Sequence, residues 1–233
     1  MLGLYAKKIG MTQVFDDSGN LVSVTVIRID PNVVIANKTA ETDGYAAVVI
    51  GIDDAKKNRI TKPVAGQFAK TPAEEKDGDE SKKKKSKPRR IIREIDITPK
   101  KRILELRDFD KEVAVGDSLT LEVLEGVRYV DVSGVSKGKG FQGVVRRYGF
   151  GGGRKTHGSK FHREPGSTGQ NTYPHRTFKN RKLPGRMGRE KTTVLSLKVI
   201  KTDPEKQLIM VHGSVPGINK GLVFVRRAVK KGR

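Results

Sequence analysis

Residues 133–193 cannot build a hydrophobic core of their own. They contain 15 lysine and arginine residues, two acidic residues and 13 of the 26 glycines of the chain. Basic side chains resist burial and glycine leaves the backbone free, so we expect this segment, here called the extension, to be irregular. Six of the 13 Phe and Tyr residues also lie in it, which is unlike a plain Ser/Gly/Pro-rich linker. This composition is typical of a segment that orders on nucleic acid, although a solvated loop remains the simpler alternative.

Positive charge is concentrated in two segments of an otherwise neutral chain. The net charge is +22, of which the extension contributes +13 and residues 82–102 contribute +9. The other 151 of the 233 residues therefore have no net charge. Clustered cations of this kind indicate a polyanionic partner, RNA or DNA.

The neutral part of the chain has the pattern of a mainly β protein. Its predicted strands are residues 12–15, 21–29, 33–36, 46–52, 119–124, 127–132, 192–200, 207–212 and 222–225. Only residues 55–59 and 141–148 suggest helices. Many short strands separated by turns favour a closed barrel or a sandwich, and strands at both ends must pair across the extension. We expect residues 1–132 and 194–233 to form a β-barrel body and 133–193 to be an excursion from it.

A low-complexity insertion interrupts this body at about 71–102. An acidic block is followed by four consecutive lysines and then by further basic residues. We expect this insertion to be disordered in the free protein. Whether it is a phosphate-binding tail or only a solvated loop stays open at this point.

Two short motifs in the extension look catalytic. Residues 138–143 match G-x-G-x-x-G, but no acidic residue follows at the distance that a dinucleotide-binding fold requires. Ser136 stands in a G-x-S-x-G pattern, which requires an α/β sheet that this sequence does not predict. A hydrolase using Ser136 is kept only as an alternative. The glycine-rich turn beside Lys137 and Lys139 fits an RNA phosphate better.

Metal, membrane and secretory functions are not expected. The chain has no cysteine, and the spacing of His157, His162 and His175 fits no common zinc pattern. No apolar run approaches the ~18 residues of a membrane span. Lys7 and Lys8 interrupt the apolar start that a signal peptide would need. We predict a cytoplasmic protein with no catalytic residue, cofactor, metal or small-molecule substrate.

The residues predicted to bind RNA are the cations of the extension together with two of its histidines, which can stack on bases or bond phosphates. They are Lys137, Lys139, Arg146, Arg147, Arg154, Lys155, His157, Lys160, His162, Arg163, Arg176, Lys179, Arg181, Lys182, Arg186 and Arg189. Because A-form RNA hides its base edges in a deep major groove, recognition should be mainly by shape and backbone. A DNA-compacting protein would have a similar composition and is the principal alternative.

Three stretches together resemble one known family. Residues 3–15, residues 130–143 and residues 156–171 are similar, in order and spacing, to the signatures of bacterial large-subunit ribosomal protein L3. The likeness extends over nearly the whole chain outside about 71–102.

The resemblance implies a translation-factor-like β-barrel and a basic extension that runs through ribosomal RNA toward the peptidyl-transferase region. It also implies binding near the 3′ end of the large rRNA, an early role in subunit assembly, and neighbouring large-subunit proteins as partners. Some members of the family are methylated at the glutamine that matches Gln170, so the resemblance makes this residue a possible methylation site.

Overall fold

The computed structural model describes residues 2–16, 18–56, 58, 60–66, 68 and 97–231. The predictions made for the insertion lie outside the described residues from 71 to 96. The chain forms two compact units, which are Met1–Gly134 with Thr193–Arg233, and Val135–Thr192. In the described part, no helix is long and apolar enough to cross a lipid bilayer.

The protein is mainly β, as predicted. Its strands are β1 (Gly3–Phe15), β2 (Leu21–Arg28), β3 (Asn32–Lys38), β4 (Ala47–Asp54), β5 (Lys100–Arg107), β6 (Ser118–Leu119), β7 (Tyr129–Val135), β8 (Phe141–Gln142), β9 (Gly185–Arg186), β10 (Lys191–Asp203), β11 (Leu208–His212) and β12 (Leu222–Arg227). The helices are α1 (Ala40–Asp43), α2 (Lys62–Gly66), α3 (Val144–Tyr148) and a 3₁₀ turn, Leu121–Leu124.

Six strands close a barrel in the order β1, β12, β7, β10, β11 and β2. The first and last strands pair antiparallel, with Gly3 opposite Arg226 and Lys7 opposite Leu222. The prediction that both ends of the chain meet in one barrel is therefore confirmed. Because the barrel is closed, the paired part of each of its six strands has a neighbour on both sides. The absence of an open sheet edge there limits unwanted association with other chains.

The barrel core is made of β-branched and leucine side chains that alternate with outward-facing residues. Among them, Leu4, Ile27, Val130, Val132, Val211 and Val225 are completely buried. Each such side chain contributes roughly 1.5–3 kcal/mol relative to an exposed one. A bulge between Lys8 and Gly10 shifts the register of β1 against β2 by one residue.

A second sheet, in the order β5, β4, β3 and β6, was not predicted as a separate element. Its two faces are both buried. Val34, Ile50 and Leu106 pack in the same hydrophobic core as the barrel residues. Ile35 and Val49 belong to a second, smaller hydrophobic cluster. Burial on both faces explains why residues 46–52 form an unbroken apolar run instead of an alternating one.

Three predicted elements differ in the structure. The strand expected at 119–124 ends at Leu119, and the following 3₁₀ turn is held by a 2.9 Å hydrogen bond from the Leu121 amide to the Gln207 side chain. A turn can bury three apolar side chains together, whereas a strand would have exposed alternate ones. Of the helix expected at 141–148, only Val144–Tyr148 are helical. The helix expected at 55–59 lies partly outside the described residues. Strand β5 was overlooked because its first three residues are basic.

Candidate nucleic-acid interface

The extension begins and ends in a short ladder of backbone hydrogen bonds. The amide of Ser136 donates to the carbonyl of Glu190 at 2.9 Å, and the amide of Lys139 donates to Met187 at 2.9 Å. The Met187 amide returns a bond to Gly140 at 3.0 Å. Strands β8 and β9 continue this pairing. The ladder gives the base of the extension a defined geometry without a hydrophobic core.

Gly188 allows the two sides of this ladder to approach closely. Its φ is +73°, a left-handed conformation that side chains with a Cβ rarely adopt. An added Cβ would collide with the carbonyl oxygen of Lys137 and would lie 3.1 Å from the Cα of Gly138. Only glycine fits here without moving one of the two backbones.

The ladder gathers four of the predicted RNA-binding cations around one cleft. The cleft has a volume of about 540 Å³, and its lining includes Lys137, Lys139, Arg147 and Arg186. Ser136 and one acid, Glu190, also line this cleft. Folding therefore brings Lys137 and Lys139 together with Arg186, which is 47 residues further along the chain than Lys139. A concave site with four cations is suited to an anionic group such as a phosphodiester.

Arg147 is the most firmly held of these four side chains. It lies on α3, its Nη1 donates a 2.8 Å hydrogen bond to the carbonyl of Leu183, and its Cζ lies 4.9 Å from the centre of the Tyr148 ring. Helix α3 is bounded by glycines, with Gly149 in a left-handed conformation at its end. Val144 of the same helix is completely buried. The sequence alone could not distinguish this half-buried arginine from its exposed neighbours.

A second turn of the extension is held by a histidine. The Gly153 amide donates to the His162 carbonyl at 3.1 Å, and the His162 Nδ1 lies 3.0 Å from the Arg154 carbonyl. A carbonyl oxygen only accepts, so Nδ1 carries the proton and Nε2 remains for another partner. Gly152 and Gly153 leave no room for a Cβ against the backbone of 161–162. The turn therefore holds His162 beside Arg154, both predicted RNA-binding residues.

A loop of the extension presents Gln170 and polar neighbours. Gln170 is exposed and lines an open cavity of about 590 Å³ with Ser167, Asn171, His175 and Arg176. Ser167 donates to the Gly169 carbonyl at 2.8 Å and accepts, at its own carbonyl, a hydrogen bond from the Arg181 guanidinium. This surface offers amide, hydroxyl and guanidinium groups at one place.

The cations of the extension are exposed and lack acidic partners. Fifteen of the sixteen predicted RNA-binding side chains are exposed, with Arg147 as the exception. Among the described residues, none of them forms an ion pair with a carboxylate. Glu164 and Glu190 are the only acids in 133–193 and cannot balance so many cations. Because these exposed cations repel one another, the extension favours the binding of anions.

Several cations of the body, in contrast, have acidic partners. Lys100 lies 2.6 Å from Asp54, which lowers the pKa of that carboxyl group. Lys38 is paired with Glu105 and bonded to the Tyr45 hydroxyl, which raises the pKa of the lysine. Arg226 lies 3.4 Å from the buried Asp131. These three cations of the body therefore have carboxylate partners, unlike the predicted RNA-binding cations of the extension.

The histidines of the extension do not form a metal site. In the part of the chain that the structure describes, no three His, Asp or Glu side chains gather closely enough to hold a metal ion. His157 and His175 instead adopt left-handed backbone conformations, with φ of 58° and 54°. Both are exposed in turns of the extension.

Comparison with known proteins agrees with the three sequence signatures. The model of the family Ribosomal protein L3 matches residues 76–207, which is more than half of the chain. The chain belongs to the ribosomal protein L3 family. The Large ribosomal subunit protein uL3 of Treponema denticola and that of Treponema pallidum are each 50% identical to it over 233 residues, covering 100% of both chains. The uL3 of Borrelia hermsii is 43% identical over 232 residues, again across the full length of both.

Membership of the L3 family confirms the predicted resemblance and excludes the enzyme hypotheses. Ribosomal protein L3 is a structural component of the ribosome and not an enzyme. The hydroxyl of Ser136 has a structural partner, because it accepts a 3.2 Å hydrogen bond from the Glu190 amide. The G-x-S-x-G pattern therefore belongs to the base of the extension, and RNA binding is a general property of the family.

Sequence analysis overlooked a further basic cluster on the body of this L3 protein. Arg128, Arg227 and Lys231 line a cavity of about 500 Å³, and the Lys231 Nζ lies 5.2 Å from the centre of the Tyr129 ring. Residues 226–233 contain five basic residues among eight, which was the available signal. The net charge of the body, which is zero, concealed this cluster. One acid, Glu125, also lines the cavity.

Proposed function

We propose that this chain is a structural constituent of the large ribosomal subunit in the cytoplasm. Its barrel body, residues 1–132 with 194–233, is the anchor, and the extension, residues 133–193, penetrates folded large-subunit rRNA. One observation carries the proposal, namely that the exposed cations of the extension have no acidic partners in the described chain. Membership of the L3 family supports it independently.

The extension binds mainly by neutralising phosphates crowded inside folded RNA. Lys137, Lys139 and Arg186 provide one cluster of cations at its base, and the other predicted residues follow along its length. Ordering this irregular segment costs roughly 1–2 kcal/mol per residue in backbone entropy, so RNA contacts must supply the compensating free energy. Release of counterions from the RNA is the main source of that free energy.

The finer placement is also a proposal. The chain binds near the 3′ end of the large rRNA, joins the subunit early in assembly and directs the extension toward the peptidyl-transferase region, with other large-subunit proteins as neighbours. It has no membrane or small-molecule partner. These statements rest on the resemblance of residues 130–143 and 156–171 to the family's signatures. The exposure of Gln170 is compatible with its methylation.

Sedimentation provides the direct test. The full chain, expressed with an affinity tag, should sediment with large ribosomal subunits through a high-salt gradient and should be absent from small subunits. The variant Lys137→Gln/Lys139→Gln/Arg186→Gln should be displaced at lower salt, whereas Lys111→Gln/Lys201→Gln/Lys206→Gln, on exposed body positions, should behave as the unaltered chain. Failure to sediment with large subunits, or equally tight binding to duplex DNA at matched salt, would contradict the proposal.

A further inference from the structure

The hairpin of β1 and β2 extends past the barrel strands on either side of it. β1 pairs with β12 only from Gly3 to Lys7, and β2 pairs with β11 only from Val24 to Arg28. Beyond these limits, residues 13–15 pair with residues 21–23, and Met11 and Thr12 pair only with β2 and not with β12. We call residues 9–15 and 21–23 the ribbon. A two-stranded ribbon in water is only marginally stable by itself, so a partner that covers it would stabilise it.

The ribbon exposes large apolar side chains. The exposed fraction is 45% for Ile9, 53% for Met11, 72% for Phe15 and 56% for Leu21. Phe15 stands directly opposite Leu21 in the register, so their side chains share one face of the ribbon. Met11 is four residues before Phe15 in β1 and therefore lies on the same face. Adjacent exposed apolar residues of this size, one of them aromatic, are typical of interaction sites.

The ribbon lacks the cations that an RNA-binding surface needs. Lysine and arginine make up 48 of the 233 residues, yet residues 9–27 contain no lysine, arginine or histidine. The only charged residues in that stretch are Asp16 and Asp17, next to Phe15. An RNA-facing surface needs cations to neutralise phosphates. A surface with apolar side chains beside an acid instead complements a protein that carries apolar and basic residues.

We infer that the ribbon is a docking surface for another protein of the same large subunit. The partner presents apolar side chains to Met11, Phe15 and Leu21, and carries lysine or arginine residues that complement Asp16. Phe15 is the central anchor, because a rigid aromatic side chain loses little conformational entropy on binding. The inference rests on the proposed function, since it requires the chain to be in the ribosome.

Photocrosslinking identifies the occupant of the ribbon. A benzophenone amino acid is placed at residue 15 of the full tagged chain and, as a matched control, at residue 141, where Phe141 is 76% exposed on the extension. Large subunits containing each protein are purified, irradiated and treated with ribonuclease. We expect residue 15 to crosslink to one large-subunit protein at a peptide containing lysine or arginine, and residue 141 to crosslink to rRNA. A crosslink from residue 15 to RNA, to a second copy of the chain, or to nothing would overturn the inference.

A substitution experiment gives a second, quantitative readout. In Phe15→Thr/Leu21→Thr both changes are at exposed positions and threonine favours strands, so the fold should be retained. Retention of the crosslinked protein in salt-washed subunits should fall roughly tenfold, as loss of interface anchors predicts. Phe178→Thr, at an exposed aromatic of the extension, should leave that retention unchanged. Unchanged retention in the double variant would overturn the inference. Loss of sedimentation by the unaltered chain would instead contradict the proposed function itself.

Discussion

The Glu190 amide donates a 3.2 Å hydrogen bond to the Ser136 hydroxyl, while the Ser136 amide donates a 2.9 Å hydrogen bond to the Glu190 carbonyl. These two residues are 54 positions apart in sequence and close the base of the extension. The pair explains why a serine in a hydrolase-like pattern serves no catalysis here. Its hydroxyl oxygen satisfies a backbone donor that the short ladder would otherwise leave exposed to water.

Ser136→Ala should loosen this base locally. The substitution removes one neutral hydrogen bond, which is worth about 1 kcal/mol. We expect hydrogen exchange at the Glu190 amide to accelerate by roughly fivefold, measured by NMR on the free protein. Ser167→Ala, which removes a hydroxyl bonded to the Gly169 carbonyl, should leave the Glu190 amide unaffected. An unchanged exchange rate at Glu190 in Ser136→Ala would show that the pair is not formed in solution.

Gly188→Ala should disrupt the base of the extension more severely. The new Cβ would meet the Lys137 carbonyl in a left-handed conformation, and strain of this kind costs of order 1–3 kcal/mol. We expect weaker binding to a large-subunit rRNA fragment, by roughly tenfold, and lost protection of the Met187 amide. Gly151→Ala is the matched control, because its Cβ would meet no atom within 4 Å. Equal affinities of the two variants would count against the ladder as the positioning element of the cleft.

The salt dependence of RNA binding should report the number of cations in contact with phosphates. Each contact contributes roughly 0.7–0.9 to the slope of log affinity against log salt concentration. Lys137→Gln/Lys139→Gln/Arg186→Gln should therefore reduce the slope for an rRNA fragment by about 2–3. The body variant Lys111→Gln/Lys201→Gln/Lys206→Gln should keep the original slope. If the two triple variants reduce the slope of log affinity against log salt concentration by the same amount, the cleft has no special role in phosphate binding.

The ion pair between Lys38 and Glu105 should stabilise the body only above acidic pH. The hydrogen bond from Lys38 holds the pKa of Glu105 below its ordinary value against the opposing effect of burial, and a 3.0 Å bond from the Tyr45 hydroxyl adds to it. A lowered pKa in the folded state contributes stability above the unfolded pKa of about 4.3, and this contribution disappears as the pH falls through the folded value.

Thermal unfolding as a function of pH checks this. At pH 7 the unaltered protein should have a higher Tm than Glu105→Gln, and the difference should disappear in strongly acidic solution. Glu205→Gln, at an exposed turn position, is the matched control and should differ little from the unaltered protein at either pH. A Tm difference for Glu105→Gln that persists at low pH would show that side-chain packing, and not the charge of Glu105, explains the effect.

Several strands could be predicted because their information is local. Residues 21–29 alternate β-branched and polar side chains, and the strand β2 (Leu21–Arg28) agrees with the prediction. Strand β5 was overlooked because Lys100, Lys101 and Arg102 resemble the basic insertion that precedes them. Their strand conformation comes from pairing with β4, in which Gly51 stands opposite Ile103 and Asp54 opposite Lys100. Pairing between distant segments leaves little trace in the local sequence.

The sequence by itself determined that the chain has a neutral β body and a cationic, glycine-rich extension, because net charge and the capacity to bury apolar surface follow from composition. Only the tertiary structure decided which cations have acidic partners and which gather in one cleft. Lys38 forms an ion pair with Glu105, which is 67 positions away in the sequence. Lys137 instead lines a cleft together with another cation, Arg186. The physical reason is that electrostatic energy depends on distance in space, which only the folded backbone sets.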